Sequence, residues 1–449
     1  MMDQTHHSSS AQKLDPDRQP ICSRLSGFYN LEVPERLRRL AEMMGLSQRD
    51  QWQLLQQGLT LQDADMLIEN VVGLFAMPVG IATNFRINNR DYLVPMVVEE
   101  TSVIAAASSA AKLVRDYGNL TAAASGQIMI GQIQIASLPD IDAAQSELLA
   151  AKPQLLDVAN MQDPVLVKLG GGAIDLETRR VQTESGPMLV AHLLVDARDA
   201  MGANAVNTMA ETLGPMLADI TGGELICQII SNLADRRLVR ARMEVAVEAL
   251  AKAGYSGPDV ASRLVKAFHW ADADPYRAAT HNKGAMNAID AILLATGNDW
   301  RAVEAGAHAY AARSGRYRSI TTYRIEDGRL IGEIELPMAV GLVGGVTRLH
   351  PVVKVLLKIL QVHSASELAE VIAAAGLLQN FSAMRSLVTE GIQRGHMSLH
   401  ARNLAVLAGA RGDLIDRVAK QMIIEGQVRY HRAQEILAKL NGHGESGES

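Results

Sequence analysis

The feature that most constrains the fold is a change of pattern inside the chain. Between about residues 121 and 231 the sequence contains short alternating segments typical of strands, GQIMIGQIQIAS, AIDLETRRVQ and MLVAHLLVDA, with a turn expected at Gly186-Pro187. On both sides of this region, apolar residues mostly recur at helical spacing. The sequence therefore predicts an α+β protein in which a small antiparallel-sheet module is inserted into a larger, mostly helical domain.

The length of 449 residues is too great for one core, so two or three domains are expected. The predicted division is a leader over 1–22, a large domain over 23–125 and 231–390, a small domain over 126–230, and a C-terminal unit over 391–449. Aromatic residues make up only 4%, so the core must rely on close helix packing through small side chains. The net charge is −6 without blocks of like charge, which argues against a nucleic-acid-binding surface.

Localisation is expected to be cytoplasmic. Two cysteines, Cys22 and Cys227, do not make a disulfide framework. The polar N-terminal stretch lacks the apolar segment of a signal peptide, and we expect it to be a disordered leader. No apolar run reaches the ~18 residues that span a bilayer, so no membrane contact is predicted.

Local signals predict several elements of the large domain. Helices are expected between residues 23 and 66, as a packing or oligomerisation arm. Turns at Asn88-Asn89 and Asp327-Gly328 predict two β-hairpins. Pro95 and Gly118 bracket a predicted helix of about twenty residues with an interior of Ala and Ser. A long amphipathic helix is expected over 413–440.

Residues 274–300 contain the densest set of polar side chains among small and apolar neighbours, DPYRAATHNKGAMNAIDAILLATGNDW. A lysine in such a setting, Lys283, is costly to bury unless a carboxylate lies beside it. Once paired, it becomes a fixed cation that can stabilise a developing oxyanion. The ordinary alternative is a lysine whose ammonium reaches solvent.

A loop in the small module, DAMGAN over residues 199–204, leads directly into the helical segment AVNTMAETLGPMLADI. A loop that feeds a helix N-terminus suits the pyrophosphate of a dinucleotide. The G-x-G-x-x-G fingerprint follows none of the predicted strands, so the usual dinucleotide-binding fold is not expected. Taken alone, the loop could be an ordinary helix cap.

The C-terminal segment GIQRGHMSLHARN places His396 and His400 at i and i+4, the spacing of a helical zinc pair. The metalloprotease glutamate between them is missing and no nearby third ligand is evident, so no metal site is predicted. Two glycines before His396 make a hinge plausible.

Seven short segments of the sequence, taken together, resemble hydroxymethylglutaryl-CoA (HMG-CoA) reductase of the soluble bacterial and archaeal class. They are ENVVG, MPVGIA, VPMVVEETSVIAAAS, DAMGAN, THNKG, ATGNDW and GIQRGHMSLHARN, and they follow the order of that family. The resemblance implies a non-Rossmann nucleotide-binding domain inserted beside a central helix, and a mobile C-terminal flap. The segment containing Glu100 is similar to the family's central helix.

The resemblance also implies roles for individual residues. The catalytic set would be Glu100, Lys283, Asp299 and His396. Asp299 would hold and charge-balance Lys283, and His396 would protonate the leaving thiol. Substrate contacts would come from Ser102, Asn232, Arg277 and Asn287, with Arg277 holding the free carboxylate. Nucleotide contacts would come from Asp163, Asp199, Met201, Gly202 and Asn204.

Asp163 matches a position near the adenosine ribose, where a carboxylate would repel a 2′-phosphate; this predicts NAD(H) over the phosphorylated nucleotide. The implied reaction interconverts HMG-CoA with mevalonate and CoA by two hydride transfers through mevaldyl-CoA and mevaldehyde. The family implies a homodimer with active sites at the interface, and is compatible with a hexamer built as a trimer of dimers. An acyl-CoA thioester hydrolase and a non-catalytic CoA-binding homologue are the alternatives; DAMGAN and the intact catalytic positions argue against them.

Overall fold

The computed structural model describes residues 21–56 and 58–442, without the side chains of residues 346, 348, 392–399 and 442. In the first part of the chain, three short helices precede a β-hairpin, a helix and a strand. Their bounds are α1 Val33–Met44, α2 Gln48–Leu55, α3 Leu61–Leu67, β1 Val79–Ile87, β2 Arg90–Val97, α4 Val103–Tyr117 and β3 Gly118–Ala124. The helical arm predicted before residue 66 is thus present.

The chain then forms an inserted unit of helices and strands. Its elements are β4 Ile128–Ala136, α5 Ile141–Met161, α6 Pro164–Lys168, β5 Gly172–Thr183, β6 Gly186–Asp196, α7 Ala203–Thr221 and β7 Glu224–Ile230. The four strands make one antiparallel sheet in the order β5-β6-β4-β7. α7 packs against β4 and β7, and α5 packs against β5 and α7. These contacts enclose a hydrophobic core largely separate from that of the large domain, which confirms the predicted inserted sheet module.

The large domain resumes after β7, with further elements on both sides of a second sheet. They are β8 Leu238–Ala246, α8 Gly257–Ala273, α9 Pro275–Ala295, α10 Trp300–Ala311, β9 Thr321–Glu326, β10 Arg329–Pro337, α11 Gly345–Leu349, α12 Pro351–Leu360 and α13 Ala365–Leu387. The strand order of this sheet is β3-β8-β10-β9, antiparallel throughout.

The most extensively buried helix of the large domain is α13. Every residue from 371 to 381 is buried, so this helix is surrounded on all sides rather than amphipathic. It packs against α4, α9, β3, β8 and β10. Small residues allow the close approach: a Cβ on Gly376 would lie 2.7 Å from Cγ1 of Ile289 in α9.

Three helices end the described chain: α14 Ile392–Leu407, α15 Asp413–Ile424 and α16 Tyr430–Gly442. Their inward side chains form a small core of their own, which includes Val418, Met422 and Ile436. The helical C-terminal unit is therefore present. The single helix predicted over 413–440 is wrong, because a turn with Gly426 at φ 66° divides it into two. The exact domain boundaries remain predictions.

Both predicted hairpins are confirmed. Asn88 and Asn89 have φ of 50° and 65°, as a two-residue turn with matching twist requires, and Asp327-Gly328 shows the same signature. Two boundaries differ from the prediction. Pro95 lies inside β2, paired with Ile81, and α4 starts only at Val103. The turn before β6 falls on residues 184–185, so Gly186 opens the strand. No helix in the described ranges is long and apolar enough to cross a membrane.

Candidate active site

A cleft of about 560 Å³ lies between the start of α4, the first half of α9 and the C-terminal half of α13. The cleft brings together residues that are far apart in sequence. Five of the predicted site residues line it: Glu100, Ser102, Arg277, Lys283 and Asn287. Lys283 and Asn287 lie on one side of α9, since they are four residues apart, and Arg277 lines the cleft from the first turn of that helix.

The ammonium of Lys283 pairs with Glu100 in this cleft, with Nζ 2.7 Å from Oε2. Glu100 lies in the turn between β2 and α4, and Ser102, with φ of 77°, turns the chain into the helix. Both side chains are substantially exposed, at 58% and 38%, so the pair adds little to stability. Its consequence is positional: it fixes a cation at the mouth of the cleft.

Arg277 supplies a second cation to the cleft and is half-buried. Burial lowers the pKa of its guanidinium. The group lies 5.8 Å from the ring centre of Trp270, and Nη2 makes a weak contact with Sδ of Met384 at 3.4 Å. Among the described side chains, no carboxylate lies within 4 Å of it. A half-buried guanidinium without an anion is well suited to a carboxylate on a ligand.

Buried polar groups hold α9 in place behind Lys283. His281 Nε2 lies 2.6 Å from Oγ1 of Thr321, and burial lowers the pKa of His281 to about 3, so the imidazole is neutral. Asn380 of α13 donates to the carbonyl of His281 at 2.7 Å and accepts from the Tyr323 hydroxyl at 2.8 Å. Asn282 bonds backbone groups of Arg318 and Ile320. Of the THNK side chains, His281 and Asn282 therefore fix the helix, and Lys283 faces the cleft.

Sequence reasoning missed two residues that line the cleft, Asn380 and Lys252. Asn380 could have been suspected, because it follows Gln379 within an otherwise apolar stretch of α13. Lys252 lies near the end of that helix: Nζ is 2.7 Å from a carboxylate oxygen of Glu390 and 3.1 Å from Oγ of Ser386. No sequence signal marked Lys252, since its partners are more than 130 residues away.

Asp299 is not beside Lys283 within one chain, so their contact stays a prediction for two copies of the chain. Its carboxylate caps α10, accepting from the amides of Arg301 and Ala302 at 3.0 and 3.1 Å, and pairs with the guanidinium of Arg301 at 3.1 Å. Asn298 stays close to the last turn of α9, through a bond to the carbonyl of Leu293. Roughly 15 Å of helix separates that turn from Lys283, so the two catalytic candidates cannot pair within one chain.

Asn232, like Asp299, lies beside α10. It is exposed, and its carbonyl oxygen lies against α10, where a Cβ on Gly306 would be only 2.5 Å away. It does not line the cleft that holds Lys283. The structure therefore separates the predicted catalytic and substrate residues into two groups, one at the cleft and one at α10.

The predicted nucleotide loop has the expected form. Gly202, with φ of 98°, is the N-cap of α7, and a Cβ there would be 2.6 Å from that of Ala197. Within the described part of the chain, no side chain caps the helix, so its first amides are open to an anion; Asn204 is exposed in that turn. The carboxylate of Asp199 accepts from the amide of Ala365 at 2.8 Å, which ties the loop to the start of α13. Met201, in the same loop, is half-buried.

Asp163 is the N-cap of α6, and its Oδ1 accepts from the amide of Leu166 at 2.9 Å. One oxygen of the proposed ribose-binding carboxylate therefore has a structural role. The glycine turn after α6 contacts the segment just before the nucleotide loop: Arg198 donates to the carbonyl of Gly170, and a Cβ on Gly171 would be 2.6 Å from the carbonyl oxygen of Asp196. The end of α6 thus lies beside the residues that lead into the loop.

His396 lies in α14, which begins directly after Gly391 with φ of 78°. The imidazole itself is outside the described part of the chain. The preceding segment is anchored to the large domain by the Lys252–Glu390 pair and by Arg385, which donates to the carbonyls of residues 250 and 251.

Comparison with known proteins identifies the family of the chain. Residues 32–401 match the family described as hydroxymethylglutaryl-coenzyme A reductase. A reductase of that name from Archaeoglobus fulgidus is 52% identical over 424 residues, covering 94% of this chain and 96% of the relative. The chain belongs to the hydroxymethylglutaryl-CoA reductase family. A probable reductase from Borreliella burgdorferi is 32% identical, covering 85% and 88% of the two chains.

Solved structures of HMG-CoA reductase agree with this membership. The enzyme from Streptococcus pneumoniae superposes with a TM-score of 0.79 at 41% identity, covering 92% of this chain and 99% of the other. A second streptococcal structure, described as a class II enzyme bound to NADPH in open conformations, gives a TM-score of 0.78 at 42% identity, covering 81% and 99%. The resemblance seen in the sequence is confirmed, and HMG-CoA reductase activity, an oxidoreduction, follows from it.

Proposed function

We propose that the protein interconverts HMG-CoA with mevalonate and CoA, using NAD(H), at a site shared between two copies of the chain. The observation that supports this most directly is the cleft in which Lys283, paired with Glu100, lies near an Arg277 guanidinium that has no carboxylate partner among the described residues. One cation suits the thioester oxygen and the other suits the terminal carboxylate of the same substrate.

Lys283 stabilises the negative charge that develops on the carbonyl oxygen in each reduction, first on that of the thioester and then on that of the aldehyde. The bound nicotinamide nucleotide would supply or accept the hydride. Glu100 lies 2.7 Å from the ammonium, so its carboxylate holds Lys283 in place and is within reach to pass a proton during the second reduction. Arg277 holds the far end of the substrate and thereby fixes the position of the reacting carbon.

His396 is proposed to protonate the departing CoA thiolate. An unperturbed imidazole has a pKa of ~6.5, which suits proton transfer near neutral pH. Its helix begins immediately after Gly391, whose φ of 78° favours glycine. Movement of the C-terminal helices about this point would bring the histidine to the cleft and exclude water.

The separation of Asp299 from Lys283 supports a site built by two subunits. Asn298 accepts from the amide of Gly341 at 2.7 Å, and Gly341 packs against the backbone of Met201. Asp299 is thus connected to the nucleotide loop of its own chain, whereas Lys283 belongs to the cleft. We propose that Asp299, Asn232 and the nucleotide loop of one subunit face the cleft of the other.

An exposed apolar segment on the surface is consistent with such a dimer. Residues 68–78 have no regular secondary structure. Two large apolar side chains in this segment are exposed, Val72 fully and Phe75 to 92%. Apolar side chains grouped in this way mark protein contact surfaces more often than solvated loops. A second copy of the chain would cover them. A hexamer of three dimers stays a prediction from the family resemblance.

NAD is proposed over NADP because of Asp163. Asp163 caps α6, and the glycine turn after that helix contacts Asp196 and Arg198, directly before the nucleotide loop. We propose that the adenosine ribose lies beside this carboxylate, which would accept hydrogen bonds from ribose hydroxyls and repel a 2′-phosphate. A related streptococcal enzyme is described as bound to NADPH. Because the two proteins share a fold, we attribute the proposed preference of this protein for NAD to individual residues such as Asp163.

The test is the absorbance of the reduced nicotinamide with purified protein, mevalonate and CoA, with NAD and NADP in parallel. We expect reduction of NAD, abolished by Lys283→Ala. Asp163→Ser keeps a helix-capping oxygen and removes the charge, so its NADP:NAD efficiency ratio should rise at least about tenfold without unfolding α6. Equal use of both nucleotides by the unaltered protein would refute the Asp163 argument. No reduction of either would favour the hydrolase or the non-catalytic alternative.

A further inference from the structure

Arg237 is a buried charge that the proposed mechanism does not use. It lies between β7 and β8, is 2% exposed, and is among the largest fully buried side chains. Among the described residues, no carboxylate lies within 4 Å of its guanidinium. Burial lowers its pKa to about 10, although Asp196 and Asp199 act in the opposite direction. A buried cation without a paired anion is costly, so a compensating function is expected.

Its partners are backbone carbonyls of two loops. Nη1 donates to the carbonyls of Ala200 and Met201 at 3.1 and 3.2 Å, and Nη2 donates to that of Val340. Ala200 and Met201 belong to the nucleotide loop, and Val340 belongs to the segment after β10. The guanidinium therefore holds both segments together from the buried side, and its Nε has no hydrogen-bond partner among the described residues.

The same two segments also contact each other and Asn298. The amide of Leu342 donates to the carbonyl of Asp199 at 2.8 Å, and Ala200 bridges to Val343. Gly341 has room only for a hydrogen, since a Cβ would be 2.5 Å from the amide nitrogen of Met201. Its own amide donates to Asn298, the neighbour of Asp299. Arg237 is at the centre of this junction.

An arginine is well suited to this position for two reasons. Its fork-shaped donor set can hold several carbonyls at once, which fixes the orientation of the peptide groups that lead into α7. Its charge also raises the electrostatic potential at the loop, since nearby carboxylates offset it only in part. Both effects favour an anion at the open amides that begin α7.

We propose that Arg237 is a positioning residue for the nicotinamide nucleotide: by holding the carbonyls of Ala200 and Met201, it sets the loop that receives the phosphate groups. This inference rests on the nucleotide site proposed above. Through Gly341 and Asn298, the same junction fixes Asp299 relative to that loop. Arg237 does not touch the reacting atoms and is not a catalytic residue.

The test compares Arg237→Met with Arg236→Met. Arg236 is the adjacent arginine, is exposed, and has Glu177 as its ion-pair partner among the described residues. Binding of NADH and of HMG-CoA is measured separately by titration, using nicotinamide fluorescence for the first. For Arg237→Met we expect NADH affinity to fall about 10- to 100-fold, because three carbonyls lose a charged donor. HMG-CoA affinity should change less than about twofold, because Arg237 makes no contact with Lys283 or Arg277, the two cations proposed to bind that substrate. Arg236→Met should leave both unchanged.

Amide hydrogen exchange gives a second readout, in which residues 199–204 should exchange faster in Arg237→Met and not in Arg236→Met. If the methionine variant does not fold, Arg237→Lys keeps the charge with fewer fixed donors and should show the same selective loss on a smaller scale. Unchanged NADH affinity in a folded variant, or equal losses for NADH and HMG-CoA, overturns the role of Arg237. Failure of the unaltered protein to bind NADH or NADPH would instead refute the proposed nucleotide site.

Discussion

Replacement of Arg277 by methionine should selectively remove recognition of the substrate's terminal carboxylate. The guanidinium is half-buried, its only described polar side-chain contact is the weak one to sulfur, and no carboxylate of the described residues competes for it. A carboxylate bound here would form two charge-assisted hydrogen bonds in a partly desolvated cleft. Losing them costs about 2–4 kcal/mol, or roughly 30- to 1,000-fold in affinity.

The assay is steady-state kinetics together with equilibrium binding of two CoA thioesters. HMG-CoA has the terminal carboxylate, and butyryl-CoA lacks it. The Arg277→Met variant should bind HMG-CoA more weakly by the stated factor and bind butyryl-CoA nearly as the unaltered protein does. A loss of the same size for both ligands would refute the reasoning, because it would show that the substitution damages the cleft and not a carboxylate contact.

Two further predictions concern the helices that position the site. Asp290 is hydrogen-bonded to Glu304; burial, and then this carboxylate, raise its pKa to about 8. The folded state therefore binds this proton more tightly than the unfolded state does, so the free energy of unfolding falls as pH rises from about 4 to 8. In Asp290→Asn, the melting temperature should fall less steeply over this pH range than in the unaltered protein. Equal slopes for the two proteins would contradict the prediction. Gly376→Ala should lower the free energy of unfolding by about 1–3 kcal/mol, because the added methyl group overpacks against Ile289. In denaturant titrations, the double variant with Ile289→Ala should recover part of this loss. Additive effects of the two substitutions would argue against the contact.

Local signals predicted the parts of the fold that depend on neighbouring residues. The Asn88-Asn89 and Asp327-Gly328 turns require positive φ at both positions, which Asn, Asp and Gly tolerate, so both hairpins were predictable. The helix expected from Pro95 was wrong for a tertiary reason. Its first residues complete a two-stranded hairpin with an open edge, where a proline without an N–H is accepted.

The candidate site was predictable only in part, because many of its contacts join distant residues. The resemblance identified Lys283 and Glu100, and the structure brings them to 2.7 Å across 183 residues. The expected contact of Lys283 with Asp299 is not made within one chain, since Lys283 lies in the first half of α9 and Asp299 lies beyond its last turn. Lys252 and Arg237 gave no local signal, because their partners lie 36 to 138 residues away.

The most direct test of the shared site is complementation between two inactive variants. Lys283→Ala and Asp299→Ala chains, with different tags, are coexpressed, and the mixed species is purified and assayed with mevalonate, CoA and NAD. If each site takes Lys283 from one subunit and Asp299 from the other, a mixed dimer has one intact site. Random mixing should then restore about a quarter of the unaltered activity, and purified mixed dimers about half. No recovery in stable mixed dimers would show that the two residues do not act across the interface, and would contradict the account.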